Sequence, residues 1–361
     1  MSSSRCAGIS RGNSSTEDHA NRSREETMIH KLAKRLASAA LATGLFAMPS
    51  FAQDVAKVRI GYMLTETTAL QLLVGRDDGI FKANNVDIEL TRFDNGTQMT
   101  QALVGGSLDG ALAGAAVVSS IAVRGLGVLI CPTYLEYDTN LIYATKDSGI
   151  KSVADLKGKR VAYPFGTTAH VLVANALKKD NLQPSDINSV NMNYQATMTA
   201  LLSGAVPAAV ITANVLDKAA AGGAVRVVSL RDFYPETAVL GGLVMANDYV
   251  KNHKDALPRI AAGLIEAQVK LGDEKTLKKV YNDYFAKFES FEIFNTVFDT
   301  TKFPTAAEWN ASFKEGRVAN WALATAKILK DAGTIDRIGE PTAFLAPDVY
   351  LKGSELAKAK K

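Results

Sequence analysis

Cysteine is almost absent from this chain. Its 361 residues include two, Cys6 and Cys131. They are far apart, so no Cys-x-x-Cys redox or metal motif exists and no disulfide framework can staple the fold. Histidine is nearly as scarce. Of four in all, only His170 and His253 lie beyond residue 52, and their separation argues against a histidine-based metal site. No internal apolar run reaches the ~18 residues a membrane span needs. Charge of one sign is lacking too. The 41 Lys and Arg stand against 37 Asp and Glu, a net +4, which is no electrostatic footprint for nucleic acid.

What is present begins with a leader. Residues 1–27 are rich in Ser, Arg and Glu and show no periodicity, so they read as disordered or as an extension ahead of the true start. Lys31, Lys34 and Arg35 then form a basic region, 36–48 an apolar one, and Pro49 breaks it. Ser50-Phe51-Ala52 fits a small-x-small cleavage site. Residues 28–52 therefore read as a secretory signal peptide, with Met28 as initiator and cleavage after Ala52. No cysteine follows, so a lipid anchor is not expected. The mature chain keeps a net charge of +1, because Lys31, Lys34 and Arg35 leave uncompensated. It also keeps one thiol, Cys131, best buried in an oxidising compartment. The expected location is the periplasm.

The mature chain, with a hydrophobic fraction of 47% for the whole sequence, can bury the cores of two domains. "KVRIGYML" alternates as a strand does, and so does "VDIELTRF". Between and after them lie helical stretches, the second stopped by Gly105-Gly106. "LDGALAG" lacks alternation, as a strand buried on both faces would. The order of strand and helix then repeats in "GKRVAYPF", "GTTAHVLVANALKKDN", "INSVNMNY", "QATMTALLSG" and "AVPAAVITA". This alternation predicts a parallel α/β sheet in each half. "GYMLTETTAL" also matches "AYPFGTTAH" weakly, about as expected from shared patterning as from duplication. The chain crosses between lobes near Tyr137-Asp138-Thr139 and returns through a strand at 240–246. Lobe I is assigned 53–138 and 247–361, lobe II 139–246. Helices beyond Lys251 are expected to pack on the first lobe, with Trp309 and Trp321 as packing residues.

The mature chain lacks a Gly-x-Ser-x-Gly elbow and a Gly-x-x-x-x-Gly-Lys phosphate loop. No pair of carboxylates stands out for acid–base work. Binding is therefore favoured over catalysis, with no catalytic residue, metal or cofactor expected. In open α/β sheets ligands sit beyond the carboxyl ends of strands. Those positions hold Thr65, Thr67 and Thr68; Asn95, Gly96 and Thr97; Gly114 and Ala115; Gly166, Thr167, Thr168 and His170; and Thr212 and Asn214. Tyr137 and Thr139 sit at the crossover, near the cleft edge. Several precede helices, whose free N–H groups favour an anion. Thr167 or Thr168 can equally be a helix cap. His170, at a helix start, is expected to be neutral. Thr67-Thr68 and Thr167-Thr168 are expected to face each other across the cleft.

The segments "DDGIFKANNVDIELTRFDNGTQMTQALVGGSLDGALAG", "SVADLKGKRVAYPFGTTAHVLVANALKKDNLQPSDI" and "TALLSGAVPAAVITANVLDKA" resemble periplasmic substrate-binding proteins of ABC transporters, in the nitrate/sulfonate/taurine branch. The resemblance implies a type II periplasmic-binding-protein fold, two similar α/β lobes joined by a two-strand hinge. It implies a monomer that closes over a small organic anion, sulfonate-like or an aromatic acid, and delivers it to an ABC permease. Three features depart from the branch: Pro207 where an acidic residue is common, Ala213-Asn214 after that strand, and the loop "LTETTALQ", which matches no family pattern. A pyrimidine-synthase-like enzyme shares the fold but would need a Cys/His cluster. A sensor presenting bound ligand to a signalling partner is the other alternative.

Overall fold

Among the described residues, eleven strands carry the fold. In order they are β1 (Ala56–Met63), β2 (Val86–Phe93), β3 (Gly110–Ala113), β4 (Gly127–Glu136), β5 (Asn140–Ala144), β6 (Arg160–Tyr163), β7 (Asn188–Asn191), β8 (Ala208–Thr212), β9 (Val225–Ser229), β10 (Val239–Ala246) and β11 (Thr301–Lys302). The structure is a computed structural model and describes residues 54–360. The signal peptide over 28–52, its cleavage after Ala52 and the extension over 1–27 lie outside the described residues. From Val55 onward the chain forms one compact unit.

The strands make two sheets, ordered β11-β4-β10-β3-β1-β2 and β7-β6-β8-β5-β9. Within each, three parallel strands share one order: β3-β1-β2 in the first, β8-β6-β7 in the second. An antiparallel strand flanks each trio, β10 beside β3 and β5 beside β8. The two halves are thus built alike, as the repeated strand–helix order predicts. Burial follows position. β2 is an edge strand, and Asp87, Glu89 and Thr91 stay exposed. β3 is central and buried along its whole length.

The helices include α1 (Leu70–Asp77), α2 (Gly96–Val104), α3 (Thr168–Lys179), α4 (Tyr194–Leu202), α5 (Ala256–Lys270), α6 (Phe291–Thr300), α7 (Arg317–Asp331) and α8 (Pro347–Lys358). Side-chain caps start four of them, among them Ser290, which accepts from the Ile293 N–H at 3.3 Å ahead of α6. Asn95 accepts from the Gln98 N–H at 3.0 Å, Thr167 from Ala169 at 3.2 Å and Asn193 from Ala196 at 2.8 Å. Just beyond the end of α3, Asn181 takes the left-handed conformation, φ +57°, as a helix-terminating Asn can.

Two expectations are corrected. β10 pairs with β3 and β4 in the first sheet, so the second lobe does not run to residue 246. The return crossing falls between β9 and β10, in residues 230–238. The C-terminal helices also divide. α5 packs on α1 and β4, and α8 on α5, within the first lobe. But α6 reaches the 213–215 turn of the second lobe, and α7 reaches α3. In α7, Trp321 and Ala326 are buried, and the Trp321 indole N–H donates to the Pro235 carbonyl of the return crossing at 3.0 Å.

Candidate functional site: the inter-lobe cleft

The loop after β1 folds on its own hydroxyls. Thr68 donates to the Met63 carbonyl at 2.8 Å, and its oxygen lies 2.8 Å from that of Thr65, which lies 3.2 Å from that of Thr67. The loop before α3 does the same. Thr167 donates to the Pro164 carbonyl at 2.8 Å while it caps the helix. In each Thr-Thr pair one hydroxyl anchors the turn, Thr68 or Thr167. The other, Thr67 or Thr168, lines a cavity of about 590 Å³ between the two sheets.

Both lobes wall this cavity. The first contributes Thr65, Glu66, Thr67, Arg92 and Glu136; the second contributes Asn140, Thr168, Tyr194 and Thr212 to Asn214. The segment before and within α6 adds Phe285, Phe288, Glu289 and Val297. Its polar lining is pre-arranged. Tyr194 donates its hydroxyl to Asn140 Oδ1 at 2.8 Å, and Thr212 donates to Asn214 Oδ1 at 2.6 Å. Thr139 donates to the Glu136 carboxylate. Burial pushes the Tyr194 phenol up to about 12, so it remains a donor.

Three carboxyls stand out here, and no local pattern in the sequence pairs them. Glu66 is nine-tenths buried and hydrogen-bonds Glu289. Burial pushes Glu66 up to about 7, the Glu289 charge adds to this, and Glu66's own backbone N–H opposes it. Burial raises Glu289 as well. Glu136 is raised by burial, with the Thr139 hydroxyl opposing. No carboxylate pair stands out in the sequence for acid–base work, yet Glu66 and Glu289, 223 positions apart, meet on the wall of this cavity. Arg92 is the cleft's guanidinium. It is exposed and lies over the Phe288 ring, 5.4 Å from its centroid.

Of the residues proposed from sequence, Thr65, Thr67, Thr139, Thr168, Thr212 and Asn214 meet at this cavity. Thr68 and Thr167 sit just behind it as turn anchors. The others lie elsewhere. Asn95, Gly96 and Thr97 start α2, where a Cβ on Gly96 would come within 2.5 Å of Val117. These loops after β2 and β3 fill each other's space instead of the cleft. Ala115 is buried in that packing, and a Cβ on Gly114 would touch the Tyr134 hydroxyl at 3.2 Å. Gly166 adopts φ +70° beside Thr334. His170 accepts from the Gly166 N–H through Nδ1 at 3.2 Å and packs against Tyr163 and Phe165. It is held below its ordinary range, as expected, but the cause is burial. Tyr137 packs on Tyr234 at 5.4 Å, beneath Arg231. Residues missed from sequence, such as Phe285 and Phe288, come from the C-terminal third, where no strand end marks them.

Comparison with known proteins fits this geometry. The profile of the NMT1/THI5-like family matches residues 66–267, more than half the chain, starting at Glu66 in the cleft loop. A binding protein of Brucella abortus is 25% identical over 88% of this chain and 99% of its own length. The taurine-binding periplasmic protein of Escherichia coli is 23% identical over 61% of this chain and 68% of its own. The crystal structure of the periplasmic aliphatic sulphonate binding protein SsuA of Escherichia coli superimposes with a TM-score of 0.63. It is 20% identical and covers 80% of this chain and 91% of that one.

Proposed function

The chain belongs to the NMT1/THI5-like family, and from that premise and its cleft we infer that it is the solute-capturing component of an ABC import system. It is exported to the periplasm, takes up a small organic solute bearing an acid group, and delivers it to a membrane permease. The observation that carries this is the cavity of about 590 Å³ walled by both lobes. That volume suits a single small molecule. Among the described residues two segments, 137–139 and 230–238, carry the chain from one sheet to the other, so hinge bending can open and close the cavity. The relatives named for taurine and sulphonate support the acid group. Thr168, at the start of the 12-residue α3, and Arg92 are the groups that would receive it.

The test is calorimetric titration and thermal shift with a panel of small sulfonates, aromatic acids and amino acids. At least one should raise the melting temperature and bind at micromolar or tighter affinity. Thr168→Val should then weaken it by about tenfold or more, since a hydrogen bond to a charged group contributes about 1.5–3 kcal/mol. A folded protein that binds none of them is not such a receptor.

A further inference from the structure

We propose that a second cavity, within the first lobe, is a binding site for a small neutral aromatic molecule carrying one hydroxyl. The cavity measures about 520 Å³ and lies among β4, α5, α8 and the stretch from Phe298 to Trp309. It shares no lining residue with the cleft, so it stands apart from the receptor reading. Its place follows from the sheet. β11 pairs with Leu135 and Glu136 of β4, and the next bridge along that edge joins Leu129 to Leu345. Among the described residues no strand lies against the edge between them. Phe303 and Pro304, which follow β11 directly, wall the gap instead.

Three consecutive residues of β4 line this cavity: Cys131, Pro132 and Thr133. A regular pleat turns successive side chains to opposite faces, so such a run needs an irregularity, and β4 has one. Gly242 of β10 stands opposite Pro132 and Gly241 opposite Tyr134, which leaves Thr133 as the extra residue of a β-bulge. Bulges re-aim side chains and gather beside sites. Thr133 is 6% exposed, and its Oγ1 has no hydrogen-bond partner among the described residues. A buried hydroxyl left so is a cost to the fold, and a ligand hydroxyl beside it recovers that cost. The rest of the wall selects an aromatic body. Leu264, Ile265, Phe298, Phe303, Trp309 and Tyr350 supply apolar surface, and the Phe298 and Phe303 rings stack with centroids 5.0 Å apart, a face that a further ring can extend. Glu266 and Lys358 bring one charge of each sign to the lining, so no net charge draws an acid or a base. The volume suits one small molecule.

The experiment is calorimetric titration with 1-naphthol and with naphthalene, which lacks the hydroxyl. The proteins are wild type, Thr133→Val, and Ala306→Phe, which adds a ring at a half-buried wall position. Wild type should bind 1-naphthol at micromolar affinity, about tenfold or more tighter than naphthalene. Thr133→Val should bring the two probes within about twofold of each other. It should also melt no lower than wild type, because the hydroxyl it removes has no partner. Ala306→Phe should weaken both probes by about tenfold or more, since its ring takes their space. Should that variant fail to fold, Thr133→Val alone decides. Equal binding of the two probes to wild type, a preference that survives Thr133→Val, a clearly lower melting temperature for that variant, or no binding at all overturns the site. So does 1-naphthol binding that folded Ala306→Phe leaves intact, which would place the probe elsewhere. The receptor reading is tested at the cleft through Thr168 and stands or falls separately.

Discussion

Glu66 shows how one buried side chain makes the stability of a binding site depend on pH. Its carboxyl is pushed up to about 7 by burial, with Glu289 adding to the shift. The folded state therefore holds the proton more tightly than the unfolded chain does. Stability from this group is fully present below the ordinary carboxylate range and is lost as pH rises towards about 7. The ligand-free protein should accordingly melt lower at pH 8 than at pH 5. Glu66→Gln should flatten that slope, and at pH 8 should raise the melting temperature by roughly 2–4 °C, the equivalent of about 1 kcal/mol in a chain of this size. Melting curves of the two proteins across that range decide it. Parallel slopes would mean that Glu66 is not the source of the pH dependence. His170 contributes differently: it is neutral, accepts from a backbone N–H and packs among aromatics, so it belongs to the support of the α3 turn.

Among elements, the central strands tolerate least. β10 runs antiparallel to β4, and Gly241 lets the Tyr134 ring lie across it: a Cβ there would come within 2.3 Å of ring atoms. Tyr134 is buried and has nowhere to retreat. Gly241→Ala should cost about 1–3 kcal/mol through overpacking, read as a lower urea midpoint with an unchanged slope. Strands like these were legible in the sequence because apolar residues alternate along β1, where Val58, Ile60 and Tyr62 are buried, and burial along the whole of β3 removes alternation. The turns after β1, β6 and β8 were legible as ligand positions because strand ends in such sheets converge on a cleft. The turns after β2 and β3 obey the same rule and still miss the cleft, because Gly96 seats against Val117. That packing is a contact between side chains which spacing does not encode. The same holds for Glu289, Phe285 and Phe288. They reach the cleft through the course of the chain around α6, and nothing in their own neighbourhood marks them.

At the scale of the whole molecule, two crossings and two C-terminal helices hold the lobes. Asp138 ties the crossings together: it accepts from the Ser229 hydroxyl and pairs with Arg231 at 2.6 Å, and its own N–H donates to the Thr300 carbonyl at 2.9 Å, where α6 ends. α7 is the second tie. Trp321 is buried against Tyr234 and Trp309, with centroids 6.0 and 6.5 Å away, and its N–H donates to Pro235 in the return crossing. Trp321→Phe keeps an aromatic ring but loses that hydrogen bond and thins the packing. It should cost about 1–3 kcal/mol, the sum of a part-buried hydrogen bond and the volume removed from a buried ring. Because Trp321 is absent from the cavity wall, ligand affinity should not change. Mass action then predicts the same gain for both proteins, about 2.7 kcal/mol at a hundred times the dissociation constant. The variant would melt earlier at every ligand concentration, with the two curves displaced in parallel. Curves that converge or diverge as ligand is added would show that α7 governs closure of the cleft as well as the stability of the closed frame.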